Sequence, residues 1–201
     1  MIGGKAICPQ CSHTRKHKSD KCLSVDLKEG LFNCHNCGFS GSAKEFKPQK
    51  IYTRPIARPE KVNKKTVEYF EKERKISDAT LSMLLVTEAK EWMPQFEKEV
   101  TCICFNYYRE EELINIKFRG PKKSFKMAKD AELIFYNINS IKDKTSCIIV
   151  EGEMDCLTLV ECGIYNGISV PNGASKGNQK LEYLDNCWQY FENKTKIILA
   201  V

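Results

Sequence analysis

The chain has 201 residues, of which 42% are hydrophobic and 29% are charged, and it carries a formal net charge of +6. This composition is typical of a folded globular protein and excludes a disordered or fibrous chain. No apolar run approaches the roughly 18 residues of a transmembrane helix, and no hydrophobic block follows the N-terminus, so neither a membrane protein nor a secreted one is expected.

The first segment, residues 1–46, contains two C-x-x-C pairs separated by a predicted strand, turn and strand. Its four paired cysteines are Cys8, Cys11, Cys34 and Cys37. Two such pairs at the ends of a hairpin present four thiolates tetrahedrally, which predicts a structural zinc site, with a rubredoxin-like iron site as the alternative. Because so short a module buries little apolar surface, we expect zinc to supply its folding energy, on the order of 10–16 kcal/mol.

Seven further cysteines, among them Cys22, are scattered along the chain. A chain without a secretion signal belongs in the reducing cytosol, where paired cysteines bind metal and seldom form disulfides. We interpret the scattered cysteines as small apolar side chains.

Residues 47–63 hold three prolines and five basic residues, which disfavours helix and core alike and predicts a linker. Beyond it the chain is expected to be compact. Apolar spacing predicts helices over 66–75 and 78–85, the second capped by Ser77. Alternating apolar residues then predict strands over 101–108, 113–118 and 133–136, with a hairpin turn at Glu110–Glu112.

Residues 114–129 form a basic stretch that contains no acidic residue. Their six cations are Lys117, Arg119, Lys122, Lys123, Lys126 and Lys129. Regular alternation places three apolar side chains on one face of the predicted strand, namely Ile114, Ile116 and Phe118. The opposite face then carries Asn115, Lys117 and Arg119. Lys117 and Arg119, together with Lys122, Lys123 and Lys126, are predicted to bind the phosphates of a nucleoside triphosphate or a template strand. Phe125 suits base stacking or a core position, and a solubilising edge strand is the alternative for the lysines.

From residue 147 onward, short apolar strands alternate with helices. Strands are predicted over 147–150, 168–170 and 196–201, and helices over 154–162 and 179–191. This rhythm predicts a parallel sheet covered on both faces. The expected fold class is therefore α/β of mixed type, with a zinc β-ribbon, a basic antiparallel subdomain and a parallel sheet.

The first of these strands runs directly into E-G-E-M-D, which contains Glu151, Glu153 and Asp155. Ligands of open parallel sheets bind at the carboxyl ends of the strands, and Gly152 permits a tight turn into the next helix. Carboxylates so close together repel one another unless a cation compensates, and Mg²⁺ takes such ligands together with substrate phosphates. The motif predicts a magnesium site, and acids that merely favour a helix N-terminus are the alternative.

Three sequences of this last segment, E-G-E-M-D, V-P-N-G-A-S and I-I-L-A-V, resemble the Toprim fold shared by DnaG-type primases, type IA and II topoisomerases and related nucleases. The first segment, with C-P-Q-C, K-C-L-S-V-D-L and G-L-F-N-C-H-N-C-G-F-S-G, is similar to the zinc-binding domain of phage primases and primase–helicases. Ribbon and Toprim motifs stand in the order of a primase, and the resemblance spans nearly the whole chain.

The resemblance implies a DNA primase that makes short RNA primers on single-stranded DNA by magnesium-dependent nucleotidyl transfer. It implies that residues 1–46 bind the template, that 64–146 form the basic part of the polymerase core and that 147–201 form a Toprim subdomain. Glu151 would be the catalytic glutamate, with its two neighbouring acids beside it at the magnesium. The implied partners are the template, ribonucleoside triphosphates and a fused or separate replicative helicase. The implied location is the cytoplasm of a bacterium or of a phage-infected cell.

In Toprim proteins, the strand that corresponds to residues 196–201 is followed by the aspartates of a D-x-D motif, and none follows here. We therefore expect a fragment whose magnesium site is incomplete. Two other functions stay open: a non-catalytic zinc and Toprim scaffold of the recombination-mediator type that binds DNA, and a Toprim nuclease or topoisomerase. Nucleotide incorporation distinguishes the primase from the scaffold, and strand cleavage marks the third.

Overall fold

The computed structural model describes residues 3–42, 50–58, 61–173 and 181–200. The chain divides into two compact units, Met1–Ile51 and Tyr52–Val201, and the division falls inside the predicted linker. Parts of several predicted elements lie outside the described residues: 43–46 of the ribbon segment, 47–49 and 59–60 of the linker, 174–175 of the loop V-P-N-G-A-S, 179–180 of the last predicted helix and Val201.

The first unit is a four-stranded antiparallel sheet whose strands follow one another in chain order. Its strands are β1 (Gly3–Ala6), β2 (Leu23–Asp26), β3 (Leu31–Cys34) and β4 (Ser40–Ser42). The turn between β2 and β3 forms because Asp26 Oδ1 accepts hydrogen bonds from the backbone N–H groups of Lys28 and Glu29, at 2.9 and 3.0 Å. Gly30 closes this turn in the left-handed region, at φ 68°. The predicted strand, turn and strand are thus present.

The second unit begins with two short helices. Helix α1 (Lys64–Tyr69) is capped by Asn63, whose side chain accepts from the N–H of Thr66, and it continues as a π-helical turn over Phe70–Arg74. Helix α2 (Asp78–Met83) is capped in the same way by the Ser77 side chain. Both predicted helices are present, because each cap residue precedes a segment with one apolar face.

A second antiparallel sheet follows, again in chain order. Its strands are β5 (Thr87–Met93), β6 (Lys98–Arg109), β7 (Glu112–Arg119) and β8 (Phe125–Met127). Strands β5 and β8 were not predicted. The predicted strand over 133–136 is wrong, because its residues pair only through a single bridge from Tyr136 to Ser169. Its apolar run reflects complete burial of Ile134, Phe135 and Tyr136 and not strand pairing.

Strand β7 contains a β-bulge opposite β6. Leu113 pairs with Tyr108 and Asn115 pairs with Tyr107, so that Ile114 is the extra residue between two registered pairs. An extra residue on one strand interrupts the alternation of side chains between the two faces. The predicted periodicity of this strand therefore breaks at Ile114.

Two cores lie on the two faces of this sheet. The main core includes Phe70, Phe105, Tyr107, Ile114, Tyr136, Val150, Leu157 and Ile168. The second core consists of Ala89, Met93, Cys102, Cys104, Ile116 and Phe118. The prediction that Ile114 shares a face with Ile116 and Phe118 is thus wrong, because the bulge turns Ile114 into the main core. Asn115 and Lys117 do lie opposite Ile116 and Phe118, but they are buried.

The parallel sheet has the strand order β10-β9-β11. Its elements are β9 (Ser146–Val150), α3 (Glu153–Glu161), β10 (Gly167–Ser169), α4 (Glu182–Asn186) and β11 (Lys196–Ala200). The helix predicted over 179–191 is interrupted after α4 and resumes as a 3₁₀ turn at Trp188–Tyr190. Burial on both faces holds for β10 but not for β11, whose residues are all exposed.

The main core joins this parallel sheet to the antiparallel one. The ring of Tyr136 packs edge-on against Phe105 and Tyr107, with ring centroids 5.9 and 5.2 Å apart. Leu157 of α3 and Ile168 of β10 are buried in the same cluster. The carboxyl ends of β9 and β10 are therefore held beside β6 and β7.

The described part of the predicted linker is ion-paired to the second unit. Arg54 contacts Glu112 at 2.6 Å and Glu132 at 3.1 Å, and Arg58 contacts Glu91 at 3.4 Å. This segment is extended, as its prolines require, but it is not detached from the unit. Among the residues that the structure describes, no helix is long and apolar enough to span a bilayer.

Candidate functional site

The first candidate site is the cluster of four paired cysteines, Cys8, Cys11, Cys34 and Cys37. Their Sγ atoms all lie within 4.8 Å of one another. The Sγ–Sγ distance is 3.8 Å for Cys8 with Cys37 and 3.7 Å for Cys11 with Cys34. A tetrahedral zinc with bonds of about 2.3 Å to sulfur requires sulfurs about 3.8 Å apart. The four thiols therefore fit zinc as they stand, and this cluster could bind the metal.

Local hydrogen bonds explain why the second cysteine pair folds into a knuckle. The N–H of Gly38 donates to the carbonyl of Cys34 at 3.0 Å, and Gly38 occupies the left-handed region at φ 74°. Burial opposes ionisation of Cys34, but the backbone N–H groups of Cys37 and Asn36 outweigh it and lower the pKa of this thiol to about 6. The Asn36 side chain donates to Cys11 Sγ at 3.3 Å. This donor lowers the pKa of Cys11, but burial and the neighbouring thiols outweigh it and raise that pKa to about 12, so without a metal Cys34 and not Cys11 is favoured as a thiolate.

A fifth cysteine lies against this cluster. Cys22 Sγ is 3.6 Å from Cys34 Sγ and 3.9 Å from Cys11 Sγ, although Cys22 is outside the four-thiol group. Sequence reasoning assigned it to the scattered apolar set. Its neighbour Leu23 pairs with Cys34 across the hairpin, so the strand register was the signal that could have placed it here.

The second candidate site is the acidic turn that follows β9. Glu151 comes directly after the strand, and Gly152 then begins helix α3. Asp155, in the first turn of α3, accepts a hydrogen bond from the N–H of Gly152 at 3.1 Å. Glu151 and Asp155 are exposed, whereas Glu153 is only 3% exposed. The three acids of the motif therefore occupy two different environments.

The carboxylate of Glu153 is bound by two side chains of the antiparallel sheet. Lys117 Nζ donates to its two oxygens at 2.8 and 3.0 Å, and the Tyr107 hydroxyl donates to Oε1. Burial, and then the neighbouring Glu153 carboxylate, raise the pKa of Tyr107 well above its ordinary value, so this phenol stays protonated. Lys117 Nζ also donates to the carbonyl of Pro171 at 2.9 Å. The structure thus pairs Glu153 and Lys117 with each other, although they were predicted as separate magnesium and phosphate contacts.

Four of the five remaining predicted cations line two cavities, and Lys129 lines neither. A cavity of about 570 Å³ has Arg119, Lys123 and Lys126 in its lining together with Glu151 and Asp155. A neighbouring cavity of about 700 Å³ is lined by Arg119, Lys122 and Lys123. We call the first of these the acidic cavity.

Four further contacts qualify the prediction for this basic stretch. Lys126 Nζ is held by Glu91 at 2.6 Å and by the carbonyl of Trp92 at 3.0 Å, which restrains one of the predicted phosphate contacts. The Phe125 ring is 41% exposed and receives Lys117 and Arg119 at 5.2 and 5.6 Å from its centroid. Phe125 is therefore a cation–π partner of the predicted cations and not a core residue.

Two residues of this site were missed by sequence reasoning. Arg74, on the π-helical turn, lines both cavities, and Tyr107 binds Glu153. Neither belongs to a motif, and each reaches the site only through the tertiary fold.

Among the described residues the three acids of the turn do not form a compact ligand cluster of the kind that the four cysteines form, but the cavity does offer carboxylates, which are the donors that Mg²⁺ takes. All three acids of the turn line the cavity, but Glu153 is buried and bound to Lys117, so the exposed carboxylates are those of Glu151 and Asp155. Mg²⁺ is usually held by one or two protein carboxylates together with water and substrate phosphates. The surrounding cations suit such phosphates, because each can donate charge-assisted hydrogen bonds to them.

Comparison with known proteins shows that the chain is similar to a protein named as a primase homologue and to solved primase structures. No protein-family model matches the chain. The chain is 27% identical over 220 residues to the Primase homolog protein of Arabidopsis thaliana, and the match covers 96% of the chain and 63% of the relative. It is 28% identical over 216 residues to the Twinkle homolog protein, chloroplastic/mitochondrial, of the same plant, covering 96% of the chain but 30% of the relative. The chain thus spans less than two thirds of either relative.

Solved structures share the fold. The primase fragment of the bacteriophage T7 primase-helicase superposes with a TM-score of 0.52 at 20% identity, covering 98% of this chain and 79% of that one. The zinc-binding and RNA polymerase domains of Aquifex aeolicus primase give 0.51 at 15% identity, covering 98% and 65%. The mixed α/β fold predicted from the sequence and the resemblance to primases are confirmed by these matches.

Proposed function

We propose that this chain forms the zinc ribbon and part of the catalytic core of a DNA primase, which makes short RNA primers on single-stranded DNA. The observation that carries the proposal is the acidic cavity, where Glu151 and Asp155 at the end of a parallel strand face cations of the antiparallel sheet. The name of one plant relative, Primase homolog protein, and the fold of solved primases support it.

In the proposed reaction Glu151 and Asp155 hold magnesium. A bound magnesium would neutralise phosphate charge as the primer's ribose hydroxyl loses its proton and attacks the α-phosphate of the incoming nucleotide, which releases pyrophosphate. Arg119 and Lys123 orient the polyphosphate by charge-assisted hydrogen bonds, so that the reacting groups meet in line. Most of the rate enhancement would come from this positioning and from charge neutralisation.

In the first unit the four paired cysteines hold zinc and thereby fold the ribbon, which binds the single-stranded template. Unit Met1–Ile51 carries an excess of basic residues, as a polyanion-binding module requires. A replicative helicase, fused or separate, is the proposed partner. The alternative that the test must distinguish from a primase is a non-catalytic scaffold that binds DNA.

The test is primer synthesis by the full-length protein on single-stranded DNA with labelled ribonucleoside triphosphates. Glu151→Gln is expected to lower primer synthesis by about 100-fold or more, because it removes a magnesium ligand. Template affinity, measured by fluorescence anisotropy, should stay within about twofold. Glu99→Gln, at an exposed position of β6, is the matched control and should behave as wild type. Template binding by the wild type without incorporation would favour the scaffold, and equal loss of both properties in Glu151→Gln would contradict the assignment.

A further inference from the structure

A buried polar cluster forms part of the wall of the acidic cavity, whose lining includes Lys117 and Glu153. It consists of Tyr107 from β6, Lys117 from β7 and Glu153 from α3, and we call it the buried triad. Tyr107 is 0% exposed, Glu153 3% and Lys117 9%. One buried negative charge therefore meets one buried positive charge, with a neutral hydroxyl as a further donor.

The hydrogen-bonding capacity of Lys117 is fully used within the protein. An ammonium group has three N–H donors. Lys117 Nζ has three acceptors, the two oxygens of Glu153 at 2.8 and 3.0 Å and the carbonyl of Pro171 at 2.9 Å. No donor of this group is left to contact a nucleotide phosphate while these bonds persist.

The same contacts engage Glu153. Both of its oxygens accept from Lys117, and Oε1 also accepts from Tyr107. A magnesium ligand must instead direct an oxygen at the ion within a near-octahedral shell that includes water. The burial and the hydrogen bonds of Glu153 are therefore those of a structural residue that fixes the turn, and not those of a metal ligand.

The buried triad ties together two loops that border the acidic cavity. Glu153 lies in the turn after β9, and Pro171 lies in the loop after β10. That loop passes close to Glu151, since a Cβ placed on Gly173 would lie 3.8 Å from Glu151 Oε1. One ammonium group thus fixes the acidic turn and the neighbouring loop to the antiparallel sheet.

We propose that Glu153, Lys117 and Tyr107 are positioning residues that hold Glu151 and Asp155 in the geometry of the proposed magnesium site. The inference rests on the proposed function and refines it, because Glu153 is not a metal ligand and Lys117 is not a phosphate contact. Groups that orient ligands without touching the metal change its affinity when they are removed.

The variant Lys117→Met tests this inference, because a ligand role and a positioning role of Glu153 predict opposite changes in metal affinity. If Glu153 were a ligand, removal of its competing cation would strengthen metal binding. If the buried triad positions the turn, the same removal leaves Glu153 without its partner, and metal binding weakens by about 10- to 100-fold. The metal probe is Mn²⁺, counted by electron paramagnetic resonance on the full-length protein, and it needs no catalytic turnover.

Three further variants complete the series. Tyr107→Phe keeps the packing, removes one hydrogen bond and should weaken Mn²⁺ binding less than Lys117→Met does. The double variant Lys117→Met with Glu153→Gln removes both buried charges, should fold as wild type by circular dichroism and should still bind Mn²⁺ with reduced affinity. Glu151→Gln should weaken Mn²⁺ binding more than the double variant.

Several results would overturn the inference. These are tighter Mn²⁺ binding by Lys117→Met, or a loss in the double variant as large as that in Glu151→Gln. In the full-length protein, a raised KM for ribonucleotides with unchanged kcat in the double variant would make Lys117 a phosphate contact. Absence of Mn²⁺ binding by the wild type would overturn the magnesium site itself, whereas primer synthesis by the wild type decides the proposed function separately.

Discussion

The two units build their candidate sites in contrasting ways. In the first unit, each half of the thiol cluster is a short C-x-x-C segment closed by its own backbone hydrogen bonds. In the second unit, the acidic turn is held by Lys117 and Tyr107, which lie 36 and 46 residues away from Glu153. A site that is built from short local segments can therefore be predicted from the spacing of its residues. A site that is built from distant side chains can be predicted only when the register of the strands is known.

The largest effect is expected from loss of metal in the first unit. Cys34→Ser should release zinc and unfold this unit, because metal binding supplies its folding energy, on the order of 10–16 kcal/mol. The main core lies in the second unit and should keep that unit folded. Zinc content by mass spectrometry and amide dispersion by NMR measure the two outcomes.

Cys22→Ser is the matched control for this prediction. Cys22 touches Cys11 and Cys34 but lies outside the four-thiol group, so this variant should keep a full complement of zinc. Unchanged metal content in Cys34→Ser would contradict the assigned ligands. Zinc loss in Cys22→Ser would show that the ligand set is not the one that the spacing indicates.

A smaller effect is expected from the buried triad in the second unit. Lys117→Met should lower the free energy of unfolding by about 3–5 kcal/mol, because it leaves the Glu153 charge buried without its partner. Adding Glu153→Gln should recover much of this loss, since the double variant buries no charge. Both tryptophans, Trp92 and Trp188, lie in the second unit, so fluorescence during urea unfolding reports on that unit alone. Equal destabilisation in the single and double variants would contradict a buried charge pair.

The sequence was informative about elements and less so about the partners of each side chain. The helix cap at Ser77 and the alternating strands of the first hairpin follow from local rules, and the structure has them. The bulge at Ile114 could not be predicted, because it depends on the register between β6 and β7. A run such as Ile134–Tyr136 is equally apolar whether it pairs as a strand or is buried beneath other elements.

The same limit applies to the candidate sites. The four zinc-site cysteines could be chosen from eleven by spacing alone. For the acidic turn, spacing gave three carboxylates but not their different environments, because the burial of Glu153 depends on a lysine and a tyrosine from other strands. Charge runs likewise could not show that Lys126 is held by Glu91.

The smallest effect is expected from Glu161, which, like Glu153, bonds residues that are distant in sequence but which lies at the surface. Glu161, at the end of α3, accepts hydrogen bonds from Thr80 Oγ1 at 2.5 Å and from the N–H of Ser77 at 3.0 Å. The Thr80 hydroxyl, followed by the backbone and side chain of Ser77, lowers the pKa of Glu161 below its ordinary value of 4.5. A carboxylate with a lowered pKa in the folded state stabilises the protein above its unfolded pKa, and this stabilisation is lost as the pH falls through the folded value.

Glu161→Gln should therefore reduce the difference in unfolding free energy between about pH 6 and about pH 3, while the variant and the wild type converge at the acidic end. The effect should be far smaller than that of Lys117→Met, because solvent screens an exposed carboxylate. Glu99→Gln, an exposed acid of β6, corrects for the loss of one negative charge. If Glu161→Gln and Glu99→Gln gave the same pH dependence, the contact between α3 and the cap of α2 would not contribute to acid stability. The buried contact ranks above the exposed one because only a desolvated pair leaves a costly buried charge when one partner is removed. A larger effect of Glu161→Gln than of Lys117→Met would contradict this ranking.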